Sequence, residues 1–233
     1  MFQGFSKETG DFLWELRFHN EKPWFLEHKE QFERCLHMPF RALAQETAER
    51  MRTRFPEMDV HLHVSRIYRD ARRLFGRGPY KDHLWFTVKD GPNYVSGPCF
   101  WFEIGPATYS YGLGYFDVTP AEMALFRQTV DANPARFQRL IEAVAQMEGF
   151  RLIGEEYARP KGNHEEPIRS WYNRKRLGVE ALRDLGGEAF SPELPTLLCR
   201  SFERLMPLYD YLLSIHRAAG EAGLIGGEGR SHG

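Results

Sequence analysis

The chain has 233 residues, with 31 Lys+Arg against 32 Asp+Glu and a formal net charge of −1. It is 42% hydrophobic and 27% charged, near the averages for globular domains, which excludes collagen-like, disulfide-scaffold and disordered classes. The charge balance also excludes a globally basic nucleic-acid coat protein, though not a local basic patch.

The three cysteines, Cys35, Cys99 and Cys199, are widely spaced, and there is no CxxC or Cys/His ligand spacing. Neither a disulfide framework nor a structural zinc site is therefore expected. The first residues lack a basic segment followed by an apolar one, and the longest charge-free stretches are too short and too rich in Gly and Pro to span a bilayer. These features predict a cytoplasmic protein without a membrane partner.

In chain order, Phe5, Phe12, Leu13 and Leu16 have helical spacing that stops near Asn20. Pro23 suits the first turn of a second helix. From Trp24 through His28, Phe32, Leu36, Phe40, Leu43, Thr47 and Met51 a stripe by threes and fours continues it. Pro39 should kink or split that helix by removing a backbone donor and clashing with the preceding turn, and Phe55-Pro56 should end it. Val60–Tyr68, Leu84–Val88, Cys99–Ile104 and Tyr109–Tyr115 are short, aromatic or β-branched runs, the pattern of antiparallel strands, with Gly105-Pro106 as a hairpin connection. Thr119-Pro120-Ala121-Glu122 is a capping box with proline in the first turn. Asn133-Pro134 repeats the cap-and-proline signal before Phe137, Ile141 and Val144. A mixed segment from Phe150 to Leu185 precedes a last helix that opens near Ser191-Pro192 and carries Pro207 inside it. The order predicts a single α+β domain over residues 1–219: N-terminal helices, a central antiparallel sheet of about four strands, and C-terminal helices. Residues 220–233, with six glycines, read as a flexible tail.

The densest chemical signal lies between His61 and His83, which hold six Lys+Arg and two Asp. If the strand from Val60 reached Tyr68, Arg66 would share the apolar face with Leu62 and Val64. A guanidinium there needs a carboxylate, carbonyls or an anionic ligand. Arg66, Arg69, Arg72 and Lys81, with Tyr68, make a candidate site for a phosphate or carboxylate. Lys161, in the turn Pro160-Lys161-Gly162-Asn163, is a further candidate. The alternative is that these arginines form internal ion pairs or solvated loops. His61 and His63 share one strand face at metal-ligand spacing, but no third ligand accompanies them, and no metal is expected. Walker, dinucleotide, metalloprotease and serine-hydrolase patterns are absent. No cofactor and no particular reaction is predicted, and catalysis is left open.

Several of these residues stand in a recognisable order. Asn20-Glu21-Lys22-Pro23-Trp24-Phe25 with Lys29 is followed by Arg66-Ile67-Tyr68-Arg69-Asp70-Ala71-Arg72 and then Pro79-Tyr80-Lys81. Tyr111-Gly112-Leu113-Gly114 and Pro160-Lys161-Gly162 complete the order. In this the chain resembles a bacterial and fungal family of uncharacterised proteins, the DUF2461-type conserved hypothetical proteins, from about Phe5 to the final helix. His19 departs from the family pattern, as does the segment from Arg73 to Gly78. The resemblance implies one cytoplasmic α+β domain and no particular reaction. Three functions fit the residues: an anionic small-molecule binder, a protein-interaction or self-associating module, and a single-stranded nucleic-acid binder.

Overall fold

The computed structural model describes residues 1–70, 72, 74, 76–92 and 96–225. Most of the predicted tail, from residue 226, lies outside the described residues. Helices α1 (Lys7–Phe18), α2 (Lys22–Glu27), α3 (Lys29–Phe32) and α4 (Met38–Arg54) come first, then strands β1 (Val60–Val64), β2 (Leu84–Asp90), β3 (Cys99–Ile104) and β4 (Thr108–Tyr115). Helices α5 (Pro120–Ala132) and α6 (Pro134–Ala145), β5 (Phe150–Ile153), α7 (Ile168–Tyr172), β6 (Leu177–Asp184) and α8 (Leu194–Glu221) complete the order. The fold is α+β, with one antiparallel sheet of six strands in the order β1-β2-β3-β4-β6-β5. The expectation of about four strands falls short by β5 and β6. Both lie in the segment that carried mixed signals. β5 is only four residues long, and β6, Leu177-Gly-Val-Glu-Ala-Leu-Arg-Asp, has a single β-branched residue and no aromatic. Tertiary pairing, not local preference, makes them strands.

The chain forms two compact units. The first comprises Met1–Tyr94, Phe100–Gly112 and Ala181–Glu203. Pro39 does divide the second helical run: a π-helical turn, Glu33–His37, separates α3 from α4, and Pro39 sits in the first turn of α4. A proline there has no donor to lose, since the first-turn N–H groups lack carbonyl partners within their own helix. Alternate residues of β2 and β3, including Phe86, Phe100 and Phe102, turn to the core. Phe40 from α4 meets Phe86 and Phe102 at ring separations of 5.7 and 6.1 Å, and Phe202 stacks on Phe100 at 4.8 Å. The opposite face carries polar and half-buried side chains. There the register sets His63 of β1 opposite Thr87 of β2, and Trp85 opposite Glu103 of β3.

The second unit comprises Val95–Cys99, Leu113–Glu180 and Arg204–Gly233. The predicted capping box forms: the Thr119 hydroxyl accepts from the Glu122 amide at 3.1 Å, and Oε2 of Glu122 accepts from the Thr119 amide at 2.7 Å. Asn133 caps α6 by accepting from the Arg136 amide at 3.0 Å. Phe137 is the hub of an aromatic cluster with Phe126, Trp171 and Tyr211. Gly178 of β6 is required by close packing, because a Cβ there would lie 2.9 Å from both Ile153 and Phe116.

Glu122 does more than cap. Only 1% exposed, it also accepts from the Tyr115 hydroxyl at 2.8 Å, and its Oε1 lies 2.9 Å from Nδ1 of His216. Burial alone would raise its pKa, but hydrogen bonds from His216, Thr119 and Tyr115 outweigh burial and bring it to about 2. A carboxylate depressed on folding stabilises the fold above its ordinary pKa of 4.5, and that contribution fades as pH falls toward 2. Urea titrations should therefore show stability falling across this interval, with a shallower fall in Glu122→Gln. At pH 7 the same variant should be less stable by about 1–3 kcal/mol, the cost of breaking a buried charged network; equal stability and an unchanged acid slope would contradict this role.

Candidate functional site

The family-like segments Asn20–Phe25, Arg66–Asp70 and Pro79–Lys81 meet in the first unit. Asn20 follows the end of α1 and stands in for a strand. Its Nδ2 donates to the Tyr80 carbonyl, and its Oδ1 accepts from the Tyr80 amide, both at 2.9 Å. Gly78 allows that approach, since a Cβ would lie 2.3 Å from the Asn20 carbonyl oxygen and from its Oδ1. On the other side of Tyr80 the chain pairs with Ile67–Arg69. The Arg69 amide donates to the Pro79 carbonyl at 2.8 Å, and the Lys81 amide to the Ile67 carbonyl at 2.7 Å. The Tyr80 ring, 2% exposed, stacks on Phe25 at 4.1 Å. The ends of the basic loop are thus tied at Tyr80; Ala71, Arg73 and Phe75 within it lie outside the described residues.

This tie sorts the predicted cations by what already holds them. β1 ends at Val64, so Arg66 does not continue its alternation and is exposed instead of lying on an apolar face. That corrects the strand-based placement, which assumed an extended chain to Tyr68; the buried residues flanking Arg66 are Ser65 and Ile67. Among the described residues, no hydrogen bond or ion pair engages the Arg66 guanidinium. Lys81 is half-buried; its Nζ donates to the Arg66 carbonyl at 2.7 Å and lies 5.9 Å from the Trp85 ring centre. Burial, then the charges of Arg66 and Arg69, lower its pKa, with Glu103 opposing them. No carboxylate lies within ion-pair distance of it among the described residues.

Arg69 and Arg72 are differently placed. Arg69 Nε donates to the Tyr80 carbonyl at 2.7 Å, and its terminal nitrogen lies 3.6 Å from Asp82. Asp82 also accepts from Arg17 at 2.6 Å and lies 3.1 Å from His83. Burial opposes ionisation of Asp82, but the hydrogen bonds from His83 and Arg17 prevail and lower its pKa. Arg72 forms a two-pronged pair with Asp70 at 3.0 and 2.9 Å, so its charge is met locally. Tyr68, 56% exposed, packs edge-on against Phe25.

His63 joins this group. Its ring lies 5.3 Å from the Trp85 ring, and burial followed by the charges of Lys81 and Arg66 lowers its pKa. The sequence pattern singled out His63 as one of a pair of metal-type ligands; the signal for its real neighbours was alternation, which places it on the same sheet face as Trp85 once the register is known. Among the described residues, no group of three or more His, Cys, Asp or Glu side chains converges as a metal site requires.

Lys161 belongs to the second unit. Its amide donates to Asn173 Oδ1 at 2.8 Å, and its ammonium lies 4.4 Å from the Tyr157 ring centre. Arg127 and Lys175 face the same ring at 5.1 and 5.7 Å. Nearby, His164 Nε2 is 2.7 Å from Asp131, which also accepts from the Tyr172 hydroxyl at 2.9 Å. Lys161 therefore has a cation–π setting of its own.

The Asn20 tie makes a direct prediction. Asn20→Ala leaves the Tyr80 amide and carbonyl short of a partner and should cost about 1–3 kcal/mol in denaturant unfolding. Gly78→Ala should cost a similar amount, about 1–3 kcal/mol, through the clash alone. Wild-type stability in both variants would remove Asn20 from its organising role.

Among the described residues, no helix is long and apolar enough to cross a membrane. No curated protein matches the chain. Residues 8–211 match the family described as conserved hypothetical protein (DUF2461). That stretch contains the Asn20 tie, the basic segment and the whole sheet, and the chain belongs to this family.

Proposed function

We propose that the first unit binds a phosphate- or carboxylate-bearing small molecule at Arg66 and Lys81, with His63 and Trp85 beside them. The observation that carries this reading is the half-buried Lys81 ammonium. Its described hydrogen-bond partner is a carbonyl, the charges of Arg66 and Arg69 press on it, and Glu103, which opposes them, forms no ion pair with it among the described residues. Holding like charges together away from full solvation is unfavourable, and an oxyanion relieves the repulsion. Arg66 supplies a planar fork suited to two oxygens, and Lys81 a compact charge. Arg69 acts chiefly as a brace through Asp82 and Tyr80. Arg72 is held by Asp70 and contributes little. Tyr68 is near enough in sequence to border the ligand, and Lys161 is not needed for this reading.

A second reading has its own observation. Phe18 and Leu26 are exposed large apolar residues, and Phe18 stacks with Trp14 at 6.1 Å. An exposed aromatic pair of this kind suits a protein contact, and loss of any concentration-dependent self-association in Phe18→Ser would support it.

For the anion site, calorimetry with inorganic phosphate at fixed ionic strength is the test. Lys81→Ala and Arg66→Ala should each weaken binding about tenfold or more, roughly 1.4 kcal/mol, while Arg72→Ala should change it less than about twofold. Affinity should also fall with added salt. Equal binding by wild type and Lys81→Ala would overturn the assignment.

A further inference from the structure

Tyr157 of the second unit gathers cations from three parts of the chain. The Lys161 ammonium lies 4.4 Å from its ring centre, the Arg127 guanidinium 5.1 Å and the Lys175 ammonium 5.7 Å. Backbone pairing sets the ring in place: the Lys175 amide donates to the Glu155 carbonyl at 2.7 Å, and the Tyr157 amide to the Asn173 carbonyl at 2.8 Å. Half-buried Arg127 reaches in from α5 and is fixed by carbonyls, donating to Tyr172 at 3.0 Å, Arg174 at 2.9 Å and Met123 at 3.0 Å. Lys161 arrives on a turn tied down at three points. Its amide donates to Asn173 Oδ1 at 2.8 Å, and His164 Nε2 lies 2.7 Å from Asp131. Between them Gly162 packs on the Tyr172 ring, where a Cβ would come within 2.6 Å.

The carboxylates around this ring are already engaged. Glu155 pairs with Lys175, Glu156 with Arg174, and Asp131 with His164 and the Tyr172 hydroxyl. Among the described residues, no carboxylate lies within ion-pair distance of Arg127 or Lys161. An aromatic face offsets part of a charge, but several cations on one ring still repel one another. The side chain of Lys161 is exposed, and that of Lys175 is 39% exposed, so both ammonium groups are open to a ligand. We infer that this cluster is an anion site of the second unit, separate from Arg66 and Lys81, and that it takes a phosphate group. Arg127 supplies a charge already held in position, and Lys161 a mobile one that can turn from the ring to the ligand. A phosphate has the charge and the several acceptor oxygens to meet more than one cation at once. This site does not depend on the reading of Lys81.

The test is an NMR titration of the full chain with inorganic phosphate at constant ionic strength. The Nε–H resonance of Arg127, whose proton is held by the Tyr172 carbonyl, and the backbone amide of residue 161 report on the cluster. Both should shift saturably in the wild type, and in Lys81→Ala with the same affinity. Lys161→Ala should melt as wild type and bind phosphate here at least about tenfold more weakly. No saturable shift at Arg127 in the wild type, or a smaller loss in Lys161→Ala, overturns the site. Loss of the response in Lys81→Ala overturns its separateness from the first unit's cations.

Discussion

Two hydrogen bonds from one side-chain amide organise the first unit's polar end. Asn20 presents a donor and an acceptor in the spacing of a peptide group, and Tyr80 receives both at 2.9 Å. Without Asn20 the Tyr80 amide would be unmet and the Tyr80 carbonyl would keep only Arg69 Nε, at a cost comparable to a lost hydrogen bond for each contact removed. Asn20 satisfies one side of Tyr80, and the pairing of Ile67–Arg69 with Pro79–Lys81 satisfies its neighbours. The Tyr80 ring is then locked against Phe25. Lys81 and Asp82 follow directly on this anchored residue, and their side chains are held by the Arg66 carbonyl and by Arg17 and His83 respectively.

The consequence is a separation of charges. Asp82 gathers Arg17, Arg69 and His83 on one side of the tie, and Asp70 takes Arg72. Both described carboxylates of the basic segment are thereby engaged, while the Lys81 ammonium lies near the Trp85 ring and bonds to the carbonyl of the exposed Arg66. On the anion reading proposed above, such a site would gain its preference from geometry, since a charged pair left together loses less on binding than one that must first be assembled. In the second unit Glu122 illustrates the opposite solution, a buried charge fully supplied with donors by Tyr115, His216 and Thr119. Glu122 is saturated and structural; Lys81 is under-supplied.

Local signals in the sequence had local causes, and those were legible. Thr119-Pro120-Ala121-Glu122 and Asn133-Pro134 start helices through contacts within four residues, so the chain alone displays them. Pro39 divides its helix for an equally local reason, although the π-helical turn that accommodates it is not written in any spacing. β5 and β6 were hidden because a four-residue strand and a run containing Gly178 and Ala181 become strands only through their neighbours. Arg66 was misplaced because alternation holds only while the strand lasts, and β1 stops at Val64. The basic segment was visible as a charge cluster, but Asn20 is 60 residues from Tyr80, and which cations are already paired depends on that distant contact. His63 and Trp85 likewise become neighbours only through the β1–β2 register.

The most direct measurement is the imidazole resonance of His63, followed by NMR through a phosphate titration in wild type and Lys81→Ala. Its pKa lies below the ordinary value because of burial and the charges of Lys81 and Arg66. A bound oxyanion should favour the protonated ring, so the account predicts a rise in this pKa and a saturable shift that Lys81→Ala abolishes. A His63 resonance indifferent to phosphate, in wild type as in the variant, would contradict an anion site at this sheet face.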